Sequence, residues 1–431
     1  MSTTKHDAPP PSGEPLTADG FTHRSSTRVQ STAKTRCRPL FEGFFVAGFE
    51  CSDHKLEDGR RLDLLTSTRH DEFAHADYAR ARAVGMHACR DGVSWVRCES
   101  RPGEYDFSSL LPRLRAAEGK IEVFWDLMHF GWPDHVDIFG VDFPTRFGKY
   151  VQAFARWFSE HTDMAPCFCP INEMSFLSWA GGDVGVMNPF CRARGFELKT
   201  QFVLATIEAI EALRLHLPGA RILHAEPAIN IVRSPEFPLT WRGVESNQLL
   251  QYQALDMLSG RVMPRLGGDP RYLDIVGVNF YGNNQFTVEG STVPLGDARF
   301  KPFSSILLEI WQRYQRPMIV SETGAEGEQR APWLRYIAQE CERALELGVE
   351  LHGITLYPVT AHPGWVDDRH CQNGLWDYAD EQGERPIDEA LAAELREWTP
   401  RLLAARAARL EPATLAPTAR AQSSGLYAPE P

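Results

Sequence analysis

The chain alternates between two hydrophobic rhythms. Over Thr145–His161 the residues Phe147, Tyr150, Val151, Phe154, Trp157 and Phe158 recur at three- and four-residue steps, which sets them on one stripe of a helix. Gln201–Leu217 and Trp333–Leu347 repeat that period, and the second is followed by Gly348, suited to the left-handed position past a helix end. Short apolar runs lie between such segments: Gly43–Phe49, Met86–Arg90, Ile121–Leu127, Pro166–Ile171, Arg221–His224, Asp274–Phe280, Met318–Ser321 and Gly353–Tyr357. Strand-like runs alternating with helices predict a parallel sheet. Eight units in roughly 360 residues predict an α/β fold of the (β/α)8 barrel (TIM barrel) type, with its chemistry on the loops that follow the strands. The alternative is an open doubly wound sheet. That fold normally opens with a Gly-rich phosphate turn, and neither GxGxxG nor GxxxxGK[ST] occurs.

This pattern predicts a single barrel domain over residues 39–400. The Ser-, Thr-, Pro- and charge-rich start (1–38) and the Ala-, Pro- and Ser-rich end (401–431) read as disordered tails. No apolar run at the start resembles a signal-peptide core, and none approaches the roughly 20 residues of a membrane span. The formal net charge of −12 disfavours a nucleic-acid groove or an anionic membrane as partner and favours a neutral or cationic small molecule. The nine cysteines are scattered without a CxxC pair, so reduced thiols in a cytoplasmic setting are expected and structural zinc is not. Cys167 and Cys169 are two apart, which on a strand gives them one face.

Each expected strand ends in polar residues. In order they are Glu50 and Asp53; Arg90 and Asp91; Asp126 and His129; Asn172 and Glu173; Glu226; Asn279, Tyr281 and Asn283; Glu322; and His362, Trp365 and Asp367. Glu173 and Glu322 stand out, because a carboxylic acid facing a carboxylate is what retaining cleavage of a glycosidic bond requires. His362, Asp367, Asp368 and His370, with His129, offer a rival reading as metal ligands in a barrel hydrolase. A barrel that binds sugar without cleaving it is a second rival.

The motifs resemble the retaining (β/α)8 glycosidases, and within them glycoside hydrolase family 1, over about residues 40 to 390 in order. Asn172-Glu173-Met174 is similar to that family's Asn-Glu-Pro run after strand four, and Ser321-Glu322-Thr323-Gly324 to its Thr-Glu-Asn-Gly run after strand seven. Arg90 with Val93-Ser94-Trp95, Phe124 to Pro133, and Gly277-Val278-Asn279-Phe280-Tyr281 resemble its strand-two, strand-three and strand-six motifs. The chain departs from the family at Met174, at Glu50 near the usual strand-one Gln, and at Tyr357-Pro358-Val359 in place of a Trp-Ser run. The resemblance implies a β-glucosidase- or β-galactosidase-like hydrolase acting on a small glycoside or oligosaccharide, without cofactor or metal. It further implies Glu322 as nucleophile and Glu173 as acid/base. Arg90, His129, Asn172, Tyr281, Trp365 and Glu50 are expected to bind substrate, with Asn172 donating to the sugar 2-hydroxyl and Trp365 stacking under the ring. Glu226 is expected to bind substrate or to be structural.

Overall fold

The computed structural model describes residues 38–233 and 241–410. Eight parallel strands close into a barrel: β1 (Phe45–Gly48), β2 (Ala88–Gly92), β3 (Glu122–Asp126), β4 (Cys167–Cys169), β5 (Arg221–Pro227), β6 (Ile275–Asn279), β7 (Met318–Thr323) and β8 (Leu351–Leu356). Closure is direct, since Val46 of β1 pairs with Ala88 of β2 on one side and with Thr355 of β8 on the other. An open doubly wound sheet is thereby excluded. Each expected apolar run overlaps one of these strands, four of which extend past the expected bounds: Ala88–Gly92, Arg221–Pro227, Met318–Thr323 and Leu351–Leu356.

The principal outer helices are α1 (His70–Ala83), α2 (Leu111–Ala117), α3 (Phe143–His161), α4 (Gly195–His216), α5 (Gln253–Leu258), α6 (Phe303–Tyr314), α7 (Arg330–Glu346) and α8 (Glu389–Leu410). On α3 the expected stripe is buried at Phe147, Tyr150, Val151, Phe154 and Phe158, with Trp157 half-buried beside them. Gly348 sits just past α7 at φ +90°, a conformation that favours a residue without Cβ.

Packing falls into two shells. The lower barrel interior is filled by Val46, Ala88, Phe124, Cys167, Cys169, Leu223, Ala225, Ile275 and Ile319, with Phe41 below them. Cys167 and Cys169 do share one face, and it points inward. The larger shell lies between strands and helices. Residues two further along the inward faces therefore reach the C-terminal mouth, where chemistry gathers in this architecture.

One boundary needs correction. Residues 1–37 and 411–431 of the expected tails lie outside the described residues, but 401–410 belong to α8. Leu402 and Arg406 are buried, and the Arg406 guanidinium donates to the carbonyls of Glu42, Gly43 and His352. Those contacts carry the helix past Pro400. No helix among the described residues is long and apolar enough to cross a membrane.

Candidate active site

At the mouth, the inward faces of β2, β3 and β7 place Arg90, Asp126 and Glu322 together around one guanidinium. Arg90 is 1% exposed and uses each of its donors. Nε and Nη2 donate to the two oxygens of Asp126 at 3.0 and 2.7 Å, Nη1 to Glu322 Oε1 at 2.6 Å and to the Ser321 carbonyl at 3.1 Å, and Nη2 also to Asn172 Oδ1 at 2.7 Å. The other Glu322 oxygen accepts from the Tyr281 hydroxyl at 2.9 Å. A bulge in β7 makes this arrangement possible: Val320 pairs with Val278 and Glu322 with Asn279, two residues opposing one. The extra residue lets Ser321, which donates to Asn279 Oδ1 at 2.6 Å, and Glu322 both serve the mouth. Gly277 is required beneath them, because a Cβ there would lie 2.5 Å from Ser321 Oγ.

Glu173 comes to the same mouth from the turn after β4. Its backbone is left-handed (φ 48°, ψ 56°), a conformation that costs a residue with a Cβ about 1–2 kcal/mol and must be held by its surroundings. The Glu173 N–H donates to the Ala225 carbonyl at 2.9 Å, and its Oε1 accepts from Asn279 Nδ2 at 2.9 Å. Burial and the neighbouring Glu322 charge push its carboxyl well above the ordinary range, with the Asn279 hydrogen bond opposing them. Burial raises Glu322 as well, but there Arg90 and His129 oppose it, and the rise is smaller.

The Arg90 contact also fixes an amide and a ring. With Asn172 Oδ1 taken by the guanidinium, Nδ2 faces His129 Nε2 at 3.0 Å, while His129 Nδ1 meets Asp126 Oδ2 at 2.9 Å. These contacts assign the Nδ1–H tautomer to His129. Burial disfavours a second proton on the ring and the carboxylates of Asp126 and Glu50 favour it, for a net rise. The Asn172 amide, however, presents a donor where that proton would need an acceptor. Burial alone would raise Glu50, yet His129, His362 and the Ser52 N–H (2.8 Å from Oε1) bring it below its ordinary value. Tyr357, on the divergent strand-eight run, lies parallel to the His129 ring at 6.0 Å and over the Arg90 guanidinium at 5.4 Å. Gly48 allows that approach, since a Cβ there would sit 2.2 Å from the Tyr357 ring.

The structure thus gathers Glu173, Glu322, Arg90, Asn172, His129, Tyr281 and Glu50 in one contiguous set. Trp365 stands beside it, half-buried, its ring against Phe130, Phe176 and His54 at 5.4, 6.5 and 5.4 Å. Sequence reasoning left out Asn279 as the partner of Glu173 and Ser321 as the donor that orients Asn279, although the Ile275-Gly277-Asn279 alternation signals an inward Asn.

The residues of the metal reading are dispersed. His362 contacts Asn373 and the Pro363 carbonyl, Asp368 pairs with Arg60, His370 with Asp377, and Asp367 accepts from Arg369 N. Elsewhere, Cys51, Asp126 and His129 bring one donor atom each within 4.8 Å of one another. That trio does not suit a cation: both Asp126 oxygens face Arg90, and burial together with Asp126 holds the Cys51 thiol protonated.

No family model matches the chain, and no curated protein does. Solved structures do. The family 1 β-glucosidase from Thermotoga maritima is similar to it with a TM-score of 0.66 at 14% identity, over 86% of this chain and 99% of that one. A β-glucosidase from the same organism in complex with deoxynojirimycin gives 0.67 at 15% identity over 86% and 99%, and one with glucoimidazole 0.66 at 15% over 82% and 97%. At such identities the likeness establishes the fold.

Proposed function

We propose that this protein is a retaining glycoside hydrolase that cleaves a β-glycosidic bond of a small, neutral glycoside or oligosaccharide. The observation that carries this reading is the pair of unlike glutamates after the fourth and seventh barrel strands: Glu322 held by Arg90 and Tyr281, and Glu173 buried beside it with one amide donor. The fold shared with β-glucosidases supports it.

In the first step the ionised Glu322 attacks the anomeric carbon and forms a glycosyl ester, while Glu173 gives its proton to the departing oxygen. Retaining chemistry needs the two carboxyl groups about 5–5.5 Å apart. Esterification removes the Glu322 charge that helped Glu173 keep its proton. Glu173 then takes a proton from water, which attacks the same carbon and frees Glu322. Arg90 and Tyr281 lower the barrier to the second step by accommodating the returning carboxylate, and Asn172 donates to the 2-hydroxyl through the Nδ2 hydrogen that does not face His129. Arg369, the strong base in the strand-eight loop, is paired with Glu326, which favours a glycone without phosphate.

Activity should fall at low pH as Glu322 gains a proton and at high pH as Glu173 loses its own. A panel of nitrophenyl glycosides tests the activity. A 2-fluoro sugar with an activated leaving group tests the role of Glu322, which should carry the label. Labelling elsewhere, or an inverted product, would remove the assignment.

A further inference from the structure

Glu226 ends β5 without entering the mouth. Leu223 and Ala225 of that strand fill the barrel interior while Ile222 packs in the outer shell, so alternation turns Glu226 outward. It lines a narrow cleft with Gln251, Tyr252, Leu255 and Tyr314. The side chain is nonetheless 4% exposed, and its Oε1 has no hydrogen-bond partner among the described residues. A carboxyl in that condition is expensive to retain without a role. Its Oε2 accepts from Ser175 N at 3.1 Å, two residues past Glu173, and the adjacent Ala225 carbonyl accepts from Glu173 N at 2.9 Å. The end of β5 therefore grips the left-handed turn at two points, and Glu173 makes no capping bond of its own there.

We propose that Glu226 is a positioning residue for Glu173, fixing the turn that aims the acid/base carboxyl into the mouth and standing behind it as a further carboxylate. The proposal rests on the reading of Glu173 as acid/base. The titratable groups facing Glu226 are Glu173 itself, Lys199 of α4, and Tyr252 and Tyr314 across the cleft; the Lys199 ammonium is held by Gln253 Oε1 at 3.1 Å. Burial pushes Glu226 up to about 7, opposed by Ser175 and Lys199. It thus ionises in the neutral range, and its charge adds to that of Glu322 in holding the Glu173 proton.

The test is a carboxyl 13C NMR titration of the full-length protein labelled at glutamate, with the Glu173 resonance identified by its loss in Glu173→Gln. Glu226→Gln keeps an acceptor for Ser175 N and removes the charge. The Glu173 midpoint should then fall by about one pH unit, roughly tenfold in proton affinity. A midpoint within about 0.2 unit of wild type overturns the proposal. Should that variant fail to fold, the wild type decides: the Glu173 resonance must inflect where Glu226 ionises, and a single-step curve overturns the proposal. Glu226→Ala, which also removes the acceptor, should lower kcat on phenyl glycosides about tenfold with KM nearly unchanged, and spare dinitrophenyl glycosides that need no proton. Equal losses on both would count against positioning. If the wild type cleaves no glycoside while the midpoint still shifts, Glu226 keeps its place and the glycosidase reading falls.

Discussion

Glu322 and Glu173 are buried at one barrel mouth to nearly equal depth, 5% and 8% exposed, but they receive different company. Glu322 meets a guanidinium and a phenol on its two oxygens; Glu173 meets one amide N–H and the field of other carboxylates. Burial alone would push both carboxyls the same way. It is the cation on β2 that separates them, so proton affinity here is set by which strand faces which glutamate.

Breaking the comparison at its charged end should have the largest effect. Glu322→Gln is expected to lower turnover about 10⁴-fold or more with the fold intact by circular dichroism. Glu173→Ala should cost about 10³-fold on poor leaving groups, spare activated ones, and recover with azide; a variant equally dead on every substrate would take Glu173 out of the acid role. Removing the separating cation with Arg90→Met leaves Asp126 and Glu322 buried without it, for a loss of about 3–5 kcal/mol in denaturant unfolding. Tyr281→Phe deletes one hydrogen bond to Glu322, about 1.5 kcal/mol or roughly tenfold in kcat/KM.

The smallest effect sharpens the contrast from the other side. The folded-state proton affinity of Glu173 exceeds its ordinary value, so its contribution to stability is full at low pH and is lost as pH rises through the raised pKa. Glu173→Gln cannot ionise. It should melt a few degrees higher than wild type above that pH, by about 1 kcal/mol, and show no gain at pH 4. A gain that is the same at both pH values would mean that Glu173 is not held protonated.

Much of the fold was legible because the barrel repeats its signal. Each strand combined an apolar run with a polar end, and α3 declared itself through one uninterrupted stripe. The short pair Asp53–Lys55 and Arg61–Asp63 was not, since three-residue strands in a charged loop have too little pattern to read. At the site, residue types and strand order pointed to the gathered set, but partnership did not. That Asn279 rather than a cation holds Glu173 depends on the register between β6 and the turn after β4. The way Ser321 and Glu322 both face the mouth depends on a bulge, and one extra residue leaves no mark in a run as short as Met318–Thr323. The outward turn of Glu226 was recoverable in principle from Leu223 and Ala225, had the strand been read to Pro227 rather than stopped at His224.

The last turns of α8 act as the floor latch of the whole assembly. Arg406 stitches the segment leading into the first strand to the final one through the carbonyls of Glu42, Gly43 and His352. The β1–β8 seam, already closed by strand pairing, is thus tied a second time by a side chain of the outer helix. A chain cut before Arg406 would keep Glu173 and Glu322 and yet lose this tie beneath the seam.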